Sequence, residues 1–164
     1  MDRVCAWCEN NLEETAGSIQ DRPVTHGICD SCAAALLKDT YEDWVENLGA
    51  PVVVLGSGSQ IAYANALALD RLGKQGDSLS GKRWGDAISC TESFKSGGCG
   101  CQKECPGCAV YQALAEVFAT GRSVVDVRRV YRKPSGDQSV SISVEKIGEM
   151  LFIQLDSINV AGMQ

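Results

Sequence analysis

Apolar and polar positions change rhythm along the chain, and each change marks an element. From Ala33 the residues Leu36, Leu37, Tyr41, Trp44, Val45 and Leu48 recur at helical spacing with Lys38, Asp39, Glu42, Asp43 and Glu46 between them, and Gly49-Ala50-Pro51 ends the run. Residues 51–64 read as a hairpin, Pro51 to Leu55 and Gln60 to Ala64 flanking the turn Gly56-Ser57-Gly58-Ser59. Asn65 is placed to cap a short helix running to Leu72, because its side chain can accept from free first-turn N–H groups. A Gly-rich loop follows to Ser89, with a helical turn around Trp84 to Ile88, and then a helix from Ala109 to Ala119 stopped by Gly121. Three antiparallel strands close the chain: Val124 to Arg132, Ser139 to Val144 with clean two-residue alternation, and Met150 to Leu155 after Gly148. Trp44, Trp84, Val52, Val54, Val140, Ile142, Val144, Phe152 and Ile153 are the expected core. Residues 1–32 break this pattern: they are polar and turn-rich, with too few large apolar residues to order themselves by burial.

Length and charge narrow the picture. The 164 residues suffice for one buried domain of about 100 residues plus a small module held by something else. A formal charge of -6 argues against nucleic acid or an anionic membrane as partner, since phosphate neutralisation needs clustered Lys and Arg. The one basic group, Arg128, Arg129, Arg132 and Lys133, reads as a solvated strand face. No apolar run is long enough for a membrane span, and Met1-Asp2-Arg3-Val4-Cys5 does not open a signal peptide, so a cytoplasmic location is expected. In that reducing compartment nine cysteines, many in CxxC pairs, point to metal rather than disulfides.

Cys5-x2-Cys8 and Cys29-x2-Cys32 are separated by 20 residues, the spacing by which two knuckles bring four sulfurs around one tetrahedral ion. A closed tetrathiolate suits structural zinc. His26, the single histidine, reads as a loop residue beside this site. A second set, Cys90, Cys99, Cys101, Cys105 and Cys108, lies within 19 residues, with Gly97-Gly98-Cys99-Gly100 giving the backbone freedom to wrap an ion. Cys105-Pro106-Gly107-Cys108 opens directly into a helix, whose N-terminus favours thiolate. Spacing allows Cys90 or Cys101 as the fourth ligand beside Cys99, Cys105 and Cys108, with Cys90 preferred. Zinc and an iron–sulfur cluster both use four cysteines, and spacing does not separate them.

Residues 49–157 resemble a PAS domain: Leu48 to Leu55, the hairpin to Ile61-Ala62-Tyr63-Ala64-Asn65, and the three closing strands carry the resemblance. Gly97-Gly98-Cys99-Gly100 followed by Cys105-x2-Cys108 is similar to a cysteine-bearing PAS subgroup of bacterial signalling proteins, in which an upstream cysteine, here Cys90, joins the set; Cys101 departs from that pattern. Cys5-Ala6-Trp7-Cys8 with Thr25-His26-Gly27-Ile28-Cys29-Asp30-Ser31-Cys32 resembles a zinc-ribbon-like element met beside bacterial PAS and response-regulator domains. The resemblance implies an α+β fold, a PAS-like antiparallel five-stranded sheet with flanking helices, plus an N-terminal zinc-knuckle module. The expected organisation is a module at 1–32, a helical connector at 33–48 and a PAS-like domain at 49–160 with its cysteine-rich insertion at 90–108. It implies sensing or protein–protein signalling without identifying a small-molecule ligand.

No nucleotide loop, open metal motif or nucleophile–base pair supports an enzyme. A haem sensor is not expected with the only histidine outside the PAS-like region, nor is a flavin adduct with the cysteines grouped as ligands. Two readings stand. Either both sites are structural and the sheet or the connecting helix mediates dimerisation and contact with a protein partner, or the central set is a redox or metal sensor. With no kinase, cyclase or DNA-binding segment, output is expected through another protein or self-association.

Overall fold

The structure, a computed structural model, describes residues 2–6, 8–10 and 24–160. Most of the polar stretch between the two N-terminal cysteine pairs, and Trp7, lie outside them. The chain divides into two compact units, Met1–Trp44 and Val45–Gln164.

In the first unit β1 (Asp2–Cys5) and β2 (Val24–Gly27) pair in parallel, Cys5 opposite Gly27. Parallel pairing requires a crossover of a dozen or more residues, which the sequence between them supplies. These strands were not legible in the polar pattern. His26 therefore sits in β2 opposite Val4 rather than in a loop; its side chain is not among those described.

Helix α1 spans Asp30–Glu46 and so begins three residues before the expected Ala33. The Cys29 carbonyl accepts from Ala33 N–H at 2.8 Å, and Cys29 Sγ accepts from Cys32 N–H at 3.4 Å. The sulfur thus occupies the place of a Ser or Asp oxygen at a helix N-cap. The expected apolar face is not uniform. Val45 is fully buried, whereas Leu36 and Trp44 are 45% and 49% exposed, so Trp44 is not a core residue. Neighbouring helical residues point about 100° apart, and Trp44 does not share the inward direction of Val45.

In the second unit the strands β3 (Val52–Leu55), β4 (Ile61–Ala64), β5 (Val124–Tyr131), β6 (Gln138–Ile147) and β7 (Met150–Val160) form one antiparallel sheet in the order β4-β3-β7-β6-β5. Between β4 and β5 come α2 (Ala66–Leu72), α3 (Trp84–Ala87) and α4 (Ala109–Thr120), the last ended by Gly121 at φ 70°. Val53, Leu55, Ile142, Val144, Ile153 and Leu155 of the sheet share one core with Trp84, Ile88, Val110 and Val117 of the helical side. Val52, Val54 and Phe152 are buried as well, Val54 opposite Phe152 across β3 and β7. Burying each such side chain contributes roughly 1.5–3 kcal/mol.

The alternation expected for Ser139 to Val144 is interrupted at Ser141, which is 5% exposed. Its hydroxyl donates to Asp126 Oδ1 at 2.8 Å, and the β6–β7 register shifts beside it. Asn65 does more than cap α2. Its Oδ1 accepts from Ala68 N–H at 2.9 Å and from Val52 N–H at 3.0 Å, while Nδ2 donates to the carbonyls of Val45 (3.0 Å) and Ala50 (2.8 Å). One buried amide ties the end of α1, the start of β3 and the start of α2 together.

Candidate metal centres

The N-terminal cysteines are brought together by the β1–β2 pair and the first turn of α1. Cys5 ends β1, and the chain turns back at once: Cys5 N–H donates to the Asn10 carbonyl and Glu9 N–H to the Cys5 carbonyl, both at 2.9 Å. Ala6 N–H donates to the Gly27 carbonyl at 2.9 Å, holding this turn against the second cysteine pair. The sulfurs of Cys5, Cys8, Cys29 and Cys32 all lie within 4.8 Å of one another, and Cys8 Sγ is 3.6 Å from Cys29 Sγ. A tetrahedral ion with bonds of about 2.3 Å spaces its sulfurs about 3.8 Å apart, so the set fits a single zinc ion.

Cys29 N–H points at Cys5 Sγ at 3.4 Å, giving that buried sulfur the amide donor a thiolate ligand uses. The Ser31 hydroxyl, 3.2 Å from Cys29 Sγ, and then the Cys32 amide lower the Cys29 pKa. Cys32 is pushed up to about 12, first by Cys29 and then by Cys8. At Cys8 the Asn10 amide pulls down, but Cys5, burial and Cys29 outweigh it and the net shift is upward. The neighbouring sulfurs thus favour the thiolate at Cys29 and the thiol at Cys8 and Cys32, and a cation among them would stabilise the charged form of all of them.

The central cysteines come from three places. Cys90 follows α3, with its N–H donating to the Gly85 carbonyl at 2.7 Å. Cys99 lies on a loop in which Gly97, Gly98 and Gly100 all adopt positive φ, the freedom the glycine run predicts. Cys105 opens a 3-10 turn, and Cys108 is the residue preceding α4. Cys90, Cys99, Cys105 and Cys108 line one cavity of about 60 Å³, walled further by Trp84, Leu114 and Tyr131. Trp84 Nε1 donates to Tyr131 Oη at 3.3 Å beside it. A wider hollow of about 430 Å³, lined in part by Leu55, Tyr111 and Phe118, also reaches Cys99. Cys101 does not line the cavity; it is exposed, and its sulfur accepts from Arg83 Nη1 at 3.2 Å.

Positions that no motif marked surround this loop and the cavity. Gly85 is one: a Cβ there would lie 2.8 Å from both Cβ and Sγ of Cys99. Burial raises the Cys99 pKa to about 11 against the Gly85 amide, which lowers it, and Cys105, Cys90 and Cys108 raise it further. Arg83 is another, donating through Nη1 to the Cys99 carbonyl at 2.6 Å. The third is Arg129, which lines the cavity and whose buried Nε has no hydrogen-bond partner among the described residues. The expected solvated basic face is therefore divided. Arg128 pairs with Asp126 at 2.8 Å, Lys133 donates to the Ile88 carbonyl and Gln138 Oε1, Arg132 is exposed, and Arg129 turns inward. None of these three positions is adjacent to a CxxC pair, and no spacing signal could have found them.

No family model and no curated protein matches the chain. Among solved structures, the Rhodobacter sphaeroides LOV protein aligns with a TM-score of 0.53 at 9% identity, over 76% of this chain and 68% of that one. The PAS domain of nitrogen regulation protein NR(II) from Vibrio parahaemolyticus aligns at TM-score 0.48 and 13% identity, over 71% and 96% of the two chains. The E. coli DhaR(N)-DhaL complex aligns at TM-score 0.47 and 15% identity over 78% of this chain, which spans 39% of that one. At these identities the likeness concerns the fold: an α+β, PAS-like five-stranded antiparallel sheet with flanking helices.

Proposed function

We propose that this chain is a non-catalytic signalling or adaptor protein of bacterial type, in which the PAS-like unit senses or relays through contact with a protein partner or a second copy. Its organisation is a zinc-knuckle module at 1–32, a helical connector and a PAS-like domain at 49–160. Cys5, Cys8, Cys29 and Cys32 hold a structural zinc that orders a module too poor in apolar residues to order itself. Cys90, Cys99, Cys105 and Cys108 form a second metal centre inside the PAS-like unit, and Cys101 remains a free thiol beside it. The observation that carries this reading is the cysteine-lined cavity between sheet and helices of a sensory fold.

A metal there joins α3, the glycine loop and the start of α4, so its state and the packing of α4 on the sheet are coupled. The acidic surface directs the protein towards other proteins rather than nucleic acid or membrane, and no helix among the described residues is long and apolar enough to cross a bilayer. The wider hollow beside Cys99 has the size of a small-molecule site and is where an unidentified ligand would bind.

Cross-linking the tagged full chain in its native host, wild type beside Cys99→Ser, tests the proposal. A regulator, kinase or second copy captured by the wild type and lost in the variant supports it. Turnover of a metabolite by the purified protein contradicts it.

A further inference from the structure

We propose that the central cavity is the seat of an iron–sulfur cluster ligated by Cys90, Cys99, Cys105 and Cys108, with Arg129 as the donor of a hydrogen bond to its sulfur. The inference rests on the central cysteines forming a metal centre, as proposed above, and specifies which kind.

Spacing is the first ground. The N-terminal sulfurs gather at the separations of a single tetrahedral ion, and theirs is the only group of three or more such ligand atoms to gather so closely among the described residues. The central four share one cavity but are not such a close group. A mononuclear site draws its sulfurs in to about 3.8 Å. Thiolates set farther apart around a common space are bridged instead by a core of several metal ions and sulfides.

The space itself is the second ground. A volume of about 60 Å³ lies among these cysteines. Water needs about 10–15 Å³ on this measure, so there is room for several atoms where a lone zinc ion held by four sulfurs requires almost none. Trp84, Leu114 and Tyr131 give the space apolar walls that limit solvent access to a cluster.

Charge is the third. At the N-terminal site the sulfurs receive backbone amides and the Ser31 hydroxyl. The central cavity adds a guanidinium whose Nε is buried and unpartnered. Glu92 and Glu104 also line the cavity, but Glu92 is bound by Lys95 at 2.6 Å and Glu104 faces Lys103 at 3.8 Å. Arg129 stacks its guanidinium 5.8 Å from the Tyr131 ring centroid, which leaves its N–H free for a thiolate or sulfide. Hydrogen bonds to cluster sulfurs and nearby positive charge raise the reduction potential, so Arg129 is a positioning residue that sets where the cluster changes state.

The test is anaerobic isolation of the full chain followed by reconstitution with ferrous iron and sulfide. Iron and acid-labile sulfide in comparable amounts, with visible charge-transfer absorption, are expected in the wild type, Cys29→Ser and Cys101→Ser. They are expected to be lost in Cys99→Ser and in Cys90→Ser, two positions on separate segments, which guards against a folding defect peculiar to one of them. Arg129→Met should retain iron and sulfide but shift the potential negative, with Arg129→Lys partly restoring it and Arg128→Met leaving it unchanged. Zinc at the central site with no iron or sulfide after reconstitution overturns the cluster while leaving the proposed metal centre standing. Metal content identical in wild type, Cys90→Ser and Cys99→Ser overturns both, and an unchanged potential in Arg129→Met overturns the role of Arg129.

Discussion

Two side chains show how much one position can decide in this fold. Asn65 uses both ends of its amide on four backbone groups from three segments. Asn65→Ala strands these groups in the interior and should destabilise the protein by about 3 kcal/mol, read from denaturant unfolding of the metal-loaded chain. Gly85 lies under Cys99 so closely that a methyl group has no space. Gly85→Ala is expected to release the central metal while the N-terminal metal remains, which metal analysis after gel filtration measures. Titration adds a third expectation. With metal removed, burial and then the neighbouring cysteines hold the Cys99 pKa at about 11, above its ordinary 9.0. A pKa raised on folding gives stability that is complete below the unfolded value and is lost as pH rises through the folded one. The melting temperature of the metal-free protein should therefore fall between about pH 9 and pH 11. The loaded protein should respond in the opposite sense, shedding metal as acid protonates the thiolates.

At the scale of elements, most of the sheet was legible because strands covered on a shared core write their burial into the sequence. The 51–64 hairpin, the Asn65 cap, the Gly121 stop and the three closing strands all follow from that pattern and from turn chemistry. The start of α1 was not legible, because its capping atom is a cysteine sulfur and periodicity registers only the apolar run that follows. Trp44 misled for a related reason: the apolar run is wider than the buried stripe, and Trp44 points about 100° away from the buried Val45. The cysteine sets were visible as spacing, but Gly85 and Arg129 reach the cavity, and Arg83 the Cys99 carbonyl, only through the packing of α3 and β5 around it. Because Cys29 and Cys32 both build the first turn of α1, Cys29→Ser should shorten this helix as well as lose metal. Hydrogen exchange at the amides of residues 32–36 reads that fraying.

For the whole molecule, the two units differ in what is available to order them. The second has a continuous apolar core. Among the described residues the first has Cys5 as its only buried hydrophobic, and in the proposed reading metal ligation replaces burial there. A strong chelator followed by limited proteolysis should accordingly digest the N-terminal module and leave a resistant fragment containing residues 49–160. The most direct test is the metal content per chain of the 164-residue protein prepared without air, wild type beside Cys29→Ser and Cys99→Ser. Two separate centres predict that each variant loses the metal of its own site and keeps that of the other. Loss of both metals in either variant, or of neither in both, would contradict it.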